Sequence, residues 1–276
     1  LQEAVQAAEE ADIVVLAIGE DRLQSGEATS NANIRIPEVQ EALLDRIAEV
    51  NQNIVVVLFS GRPLDIREIN KKAKAILQVW LPGTEGARAI ADTLFGKYNP
   101  SGKLPMSFPY CVGQVPVHYN EYSTGRPHVE GKDKDRFRSK YLDIPNEPLY
   151  PFGYGLSYTT FEVSDIHLDR TWMDTSGQIE AEVTAKNTGN CTGTETLQLY
   201  IHDIAASVVR PVRELKDFKK VTLRPGEEKK VVFTITEQQL LFLTENGIYE
   251  SEAGEFEIFI GKDSLTDNKA SFVLKK

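Results

Sequence analysis

Apolar positions in the first hundred residues follow two rhythms. Residues 12–18 (DIVVLAI), 54–59 (IVVVLF) and 75–80 (AILQVW) are nearly continuous apolar runs of strand length. Such runs predict strands covered on both faces, because a solvated face would place a polar residue at every second position. Between them the spacing turns helical. Residues 2–10 read as a short Ala- and Glu-rich helix. Pro37 can open a helix over residues 38–50, on which Val39, Leu43, Ile47 and Val50 fall along one stripe. Thr84 can cap a helix running to about Phe95, and Gly96 can end it. Buried strands alternating with helices predict an α/β domain with a mostly parallel sheet.

From Phe161 onward the period changes to that of short strands. Residues 161–168, 179–186, 195–202, 215–223, 230–235, 255–260 and 270–274 all suit strands. The breaks between them carry Asn187-Thr188-Gly189, Pro225-Gly226 and Asn246-Gly247. Seven such strands predict a β-sandwich of the immunoglobulin or fibronectin kind. The tryptophan and cysteine pair of antibody domains is missing, so the fibronectin version fits better. Residues 98–158 form a long irregular stretch rich in proline, longer than an ordinary loop. Its tyrosines, Phe152 and Leu156 predict that it packs rather than floats, apart from a tip at residues 131–139, readable as a solvated loop or as a basic ligand patch. The expected division is therefore 1–110, an α/β domain; 111–160, a linking and packing segment; and 161–276, an all-β sandwich.

Composition narrows the classes of function. The 276 residues carry 31 Lys and Arg against 41 Asp and Glu, a net charge of −10. That balance argues against a general phosphate-binding surface, so nucleic acid is not an expected partner. No apolar run reaches 18 residues, so no membrane span is expected. Cys111 and Cys191 permit one disulfide but neither a disulfide scaffold nor a cysteine zinc cluster. The opening residues, LQEAVQAAEEAD, are neither a Met start nor a signal peptide, so any export signal would lie upstream.

Ligands of open α/β sheets gather beyond the carboxyl ends of the strands. The first such end opens a long polar loop, Gly19-Glu20-Asp21-Arg22-Leu23-Gln24-Ser25-Gly26-Glu27-Ala28-Thr29-Ser30. It can hold a carboxylic acid over a polar substrate, or be a solvated loop whose acids answer Arg22 and Arg35. The second strand ends in Ser60-Gly61-Arg62-Pro63-Leu64, where Arg62 can fix a loop glutamate or start a helix salt bridge. The third ends at Trp80, a stacking surface for a sugar ring or plain packing. No dinucleotide fingerprint, phosphate loop, nucleophile elbow or metal-ligand histidine spacing is present, so neither cofactor nor metal is expected. Carboxylate chemistry at a sheet edge remains.

These segments form an ordered series. Gly19-Glu20, Ser25-Gly26-Glu27-Ala28, Ser60-Gly61-Arg62-Pro63-Leu64, Trp80-Leu81-Pro82-Gly83-Thr84-Glu85-Gly86 and Leu94-Phe95-Gly96 come first. Asn99-Pro100-Ser101-Gly102-Lys103-Leu104-Pro105 and Leu149-Tyr150-Pro151-Phe152-Gly153-Tyr154-Gly155-Leu156-Ser157-Tyr158-Thr159 follow. Together they resemble the C-terminal part of glycoside hydrolase family 3, and Val115-Pro116 through Tyr122-Ser123-Thr124-Gly125-Arg126-Pro127 is similar to its periplasmic β-glucosidase branch.

The resemblance implies a fold, a chemistry and partners. The fold is an α/β three-layer sandwich, only part of which lies in this chain, followed by a fibronectin type III-like sandwich. Such enzymes are retaining, with an aspartate nucleophile on an N-terminal barrel and a glutamate acid/base on a loop of the α/β sandwich. Glu27 matches that glutamate, while Glu20, Arg22, Ser25, Arg62 and Trp80 are orienting or substrate-loop candidates. The implied activity is exo-hydrolysis of terminal β-D-glucosyl residues, with a β-glucoside or oligosaccharide as substrate. A β-xylosidase or other exo-β-glycosidase, or a non-catalytic carbohydrate-binding module, are the alternatives. The barrel would be the necessary partner, so this chain alone is expected to be inactive. A truncated sheet would expose a raw apolar face, through which two copies can also pair. Periplasmic or secreted localisation follows from the same resemblance.

Overall fold

The computed structural model describes residues 1–129, 131 and 135–276. Part of the 131–139 tip therefore lies outside the described residues. The chain divides into two compact units. One comprises Leu1–Tyr98, Phe108–Val117 and Glu147–Tyr150; the other comprises Asn99–Ser107, His118–Asn146 and Pro151–Lys276.

The first unit alternates helix and strand: α1 (Gln2–Glu10), β1 (Val14–Gly19), α2 (Glu38–Val50), β2 (Ile54–Phe59), α3 (Arg67–Lys72), β3 (Ala75–Trp80) and α4 (Gly86–Leu94), of which the short α3 has no counterpart in the pattern-based reading. The strands form a parallel three-stranded sheet in the order β1-β2-β3. Only central β2 is deeply covered, with Ile54, Val56, Val57 and Leu58 buried. In β1, Leu16 and Ile18 are buried while Val15 is 53% exposed, so the expectation of a strand covered on both faces fails there. The reason is topological: β1 is an edge strand, and its outer positions are apolar without being covered.

Helix α2 spans the expected residues but presents a different stripe. Leu44 and Ile47 are buried, whereas Val39 is 78% exposed and Val50 is also exposed. The inner positions run Gln40, Leu44, Ile47, an i, i+4, i+7 series whose first member is polar and so invisible to a hydrophobic pattern. Asn51, just past α2, donates to the carbonyls of Ala8 at 2.8 Å and Ala11 at 2.7 Å. It thereby ties the carbonyl end of α1 to the end of α2.

Thr84 does not cap α4. The helix begins at Gly86, whose amide bonds the Gly83 carbonyl at 3.2 Å. Glu85 holds the N-cap position, and Thr84 lies with it inside the turn that the Gly83–Gly86 bond closes. Gly96, at φ 71°, ends the helix as expected.

The second unit holds the β-sandwich. Its strands are β4 (Phe161–Val163), β5 (His167–Leu168), β6 (Trp172–Asp174), β7 (Gln178–Asn187), β8 (Gly193–Asp203), β9 (Glu214–Leu223), β10 (Glu228–Thr236), β11 (Phe242–Leu243), β12 (Tyr249–Glu250), β13 (Gly254–Gly261) and β14 (Lys269–Lys275), with helix α5 (Glu237–Leu240) after β10. One sheet runs β10-β7-β4, with β5 also on β7; the other runs β6-β14-β13-β8-β9. Their inner faces make one core containing Ile179, Leu197, Leu199, Phe233, Phe256 and Phe272. The strand expected over residues 161–168 is broken at Ser164, whose Oγ accepts the Thr184 amide at 2.8 Å. β6, parallel to β14, and the β11–β12 hairpin have no counterpart in the pattern-based reading.

Two buried polar features stabilise this unit. Asn187 is fully buried and joins four partners. Its Oδ1 accepts from Thr159 Oγ1 at 2.6 Å and Gly189 N at 3.0 Å, and its Nδ2 donates to the carbonyls of Cys191 and Leu223, both at 2.9 Å. Lys103 Nζ pairs with Glu195 Oε1 at 2.7 Å and donates to the Gly155 carbonyl at 3.0 Å. Cys111 and Cys191 are free thiols.

Candidate active site

The loops leaving the carboxyl ends of β1, β2 and β3 meet at one edge of the first unit. The meeting is close because glycine stands at the crossing. A Cβ on Gly61 would lie 1.7 Å from Ser25 Oγ and 3.9 Å from Leu81 Cδ1. Residues from all three strand ends thus converge on a position that admits no side chain.

The loop after β1 is fixed at its root. Gly19 has φ 134°, and a Cβ there would lie 1.9 Å from the Phe59 carbonyl oxygen. That oxygen accepts the Glu20 amide at 2.8 Å. Gln40 of α2 closes the other side. Its Oε1 accepts Gly19 N at 2.7 Å and its Nε2 donates to Gly19 O at 3.0 Å. Both backbone groups of one residue are satisfied by one amide, so the loop leaves the sheet in a set direction.

Glu20 and Arg62 form the next tier. Arg62 Nε lies 3.0 Å from Glu20 Oε1, with side chains 23% and 4% exposed. The Nε–H is not aimed at that oxygen, so the attraction is ionic rather than a well-formed hydrogen bond. Glu20 Oε2 accepts the Gly61 amide at 3.1 Å. Arg62 Nη2 donates to two carbonyls, Gln24 at 2.7 Å and Thr29 at 2.9 Å. Asp21 organises the intervening turn, accepting the Leu23 amide on Oδ1 at 2.6 Å.

Glu27 sits at the tip. Thr29 donates to the Gly26 carbonyl from its amide at 3.3 Å and its hydroxyl at 2.6 Å, closing a tight turn over residues 26–29. Gly26, at φ 127°, and Ala28, at φ 58°, flank Glu27. A left-handed alanine carries strain of about 1 kcal/mol, which persists only where the surroundings over-determine it. Glu27 is exposed and makes no hydrogen bond or ion pair among the described residues.

The other candidates fall elsewhere. Arg22 is exposed and has no partner among the described residues. Arg35 does not answer the loop acids but pairs with Glu41 at 2.7 Å. Trp80, at φ 52°, packs on Phe108 with ring centroids 5.9 Å apart. Phe108 in turn meets Tyr150 edge-on at 6.3 Å. The sequence reading missed Gln40, and a polar residue inside a helix carries no signal of its own. Among the described residues no group of His, Cys, Asp and Glu side chains is arranged to hold a metal. No helix among the described residues is long and apolar enough to cross a membrane.

A parallel α/β sheet with carboxylates on its strand-end loops, followed by a fibronectin-like sandwich, is the C-terminal architecture of a carbohydrate-cleaving enzyme class. The glycosyl hydrolase family 3 C-terminal domain matches residues 1–158, and a fibronectin type III-like domain matches residues 195–264. The chain belongs to glycosyl hydrolase family 3. It is 48% identical, over 99% of its length, to a periplasmic beta-glucosidase of Salmonella typhimurium, of which it covers 36%. It is 39% identical, over its full length, to a putative beta-xylosidase of Formosa agariphila, again covering 36%. The crystal structure of a beta-glucosidase from Listeria innocua in complex with glucose superposes with a TM-score of 0.95 at 41% identity, covering 100% of this chain and 38% of that one. The chain thus spans about a third of the length of the curated relatives it matches.

Proposed function

We propose that this chain is the C-terminal portion of a retaining, exo-acting β-glucosidase and that Glu27 is its general acid/base. A retaining glycosidase uses two carboxyl groups about 5–5.5 Å apart. One attacks the anomeric carbon; the other protonates the leaving oxygen and then takes a proton from water. In this reading an N-terminal barrel brings the nucleophilic aspartate and most sugar contacts, and Glu27 reaches over its mouth. The observation that carries the assignment is the setting of Glu27. It is an unpaired carboxylate held out between two left-handed residues, at the strand-end edge where α/β sheets place their ligands. Glu20, by contrast, is spent on Arg62 and Gly61. Arg22, Ser25 and Trp80 remain substrate-loop candidates.

The exposed Val15, Val39 and Phe95, the last 87% exposed, support a barrel-bearing portion packing against this unit. The division 1–110, 111–160 and 161–276 belongs to the same proposal. Similarity to the Salmonella enzyme favours a periplasmic or secreted location. The Formosa relative keeps β-xylosidase as the second reading.

The test is hydrolysis by the full-length protein and by this chain alone. The full-length protein should hydrolyse aryl β-glucosides with a higher kcat/KM than aryl β-xylosides, while the isolated chain turns over neither. A higher value for xylosides would favour the second reading. A full-length protein inactive on every aryl β-glycoside would overturn the catalytic assignment.

A further inference from the structure

We infer that Arg62 is a positioning residue that sets the reach of Glu27 by gripping the loop on both sides of it. The inference rests on Glu27 being the acid/base. One guanidinium nitrogen, Nη2, holds the carbonyls of Gln24 at 2.7 Å and Thr29 at 2.9 Å, three residues before Glu27 and two after it. The grip fixes the separation of the loop's flanks while leaving the tip free to face solvent.

The geometry separates this role from substrate binding. Arg62 is turned into its own unit: Nη2 is committed to backbone, and the charge faces Glu20, whose side chain is 4% exposed. A guanidinium so committed is a poor receptor for a neutral sugar. It is well suited to holding two carbonyls at once, because the two N–H bonds of Nη2 lie in the rigid guanidinium plane and point in fixed directions. Lysine keeps the charge but replaces the fork with a single flexible ammonium. Glu20 is the counterweight, and its own anchor is the Gly61 amide next to Arg62. Gly61 cannot carry a side chain without entering the position of Ser25, so the strand-end turn and the loop are assembled together.

Misplacement of a catalytic group by about 1 Å costs on the order of 10²-fold in rate. The cost depends on how much the reaction needs the proton. An alkyl alcohol is a poor leaving group and needs the acid; a dinitrophenolate leaves without it.

The experiment measures kcat and KM of full-length Arg62→Lys on an alkyl and a 2,4-dinitrophenyl β-glucoside. The alkyl-to-dinitrophenyl ratio of kcat/KM should fall about 10- to 10²-fold, through kcat rather than KM. An equal loss on both substrates would mean a merely structural role, and a rise of KM on both would mean substrate contact; either overturns the inference, as does an unchanged ratio. Glu27→Ala in the same assay separates the two claims. If Glu27→Ala leaves the ratio unchanged, the acid/base reading itself falls. If Glu27→Ala collapses the ratio while Arg62→Lys does not move it, only the positioning role falls. Should Arg62→Lys fail to fold, Glu20→Gln loosens the same anchor. A smaller fall in the same ratio supports the role and no fall overturns it.

Discussion

Arg62 stands 3.0 Å from Glu20, and the pair is neutralised within the fold rather than offered to a ligand. Two candidates that are indistinguishable as charged residues on strand-end loops thereby acquire different duties from Glu27. Removing one partner strands the other with its charge partly shielded from water. Glu20→Gln should cost about 1–3 kcal/mol in urea unfolding, because Arg62 loses the counter-charge that helps hold it in place. An unchanged midpoint would mean the pair contributes nothing.

Gly19 is a second requirement of the same loop. Its φ of 134° and the carbonyl 1.9 Å from any added Cβ leave alanine no position. Gly19→Ala should destabilise the fold by about 2–4 kcal/mol, as strain and overpacking together demand. Thermal unfolding followed by circular dichroism would show it.

Asn187 makes a prediction for the sandwich. Leucine there fills a similar volume but strands the partners that Asn187 now joins. Asn187→Leu should cost about 2–4 kcal/mol despite the gain in hydrophobicity. Chemical denaturation measures this directly.

Asp203 makes a pH-dependent prediction. It is 7% exposed, and its Oδ2 has no hydrogen-bond partner. Burial raises its pKa; Arg210 and His202 pull it down, while Glu252 adds to the rise. A carboxyl whose folded pKa exceeds its unfolded one favours folding when protonated. That contribution is complete below the ordinary aspartate value of about 3.9 and is lost as pH rises through the raised folded value. Asp203→Asn should therefore raise Tm at pH 7, with the gain shrinking as pH falls toward the ordinary aspartate range. A loss of Tm at pH 7 would show that attraction to Arg210 outweighs burial.

Much of the fold is legible because strands and helices repeat a pattern that burial enforces. The runs at 12–18, 54–59 and 75–80 became β1, β2 and β3 within two residues, and Gly96 ended its helix. The reading failed where one residue served two ends. Gln40 occupies the inner stripe of α2 because it bonds Gly19, which shifts the stripe away from Val39 and Val50. Thr84 reads as a cap, but it lies inside the Gly83–Gly86 turn, and Glu85 takes the capping position. At the site, the order of glycines and carboxylates was legible, whereas the grip of Arg62 on two carbonyls was not. Backbone acceptors have no residue identity, so only coordinates can name them.

The central claim is that Glu27 is the acid/base, and chemical rescue of full-length Glu27→Ala tests it most directly. On a dinitrophenyl β-glucoside, added azide should accelerate turnover and yield β-glucosyl azide, because the small anion attacks the glycosyl-enzyme without needing a base. On an alkyl β-glucoside the variant should lose about 10²–10⁴-fold. Wild-type rates on the alkyl substrate, or no azide product, would contradict the account.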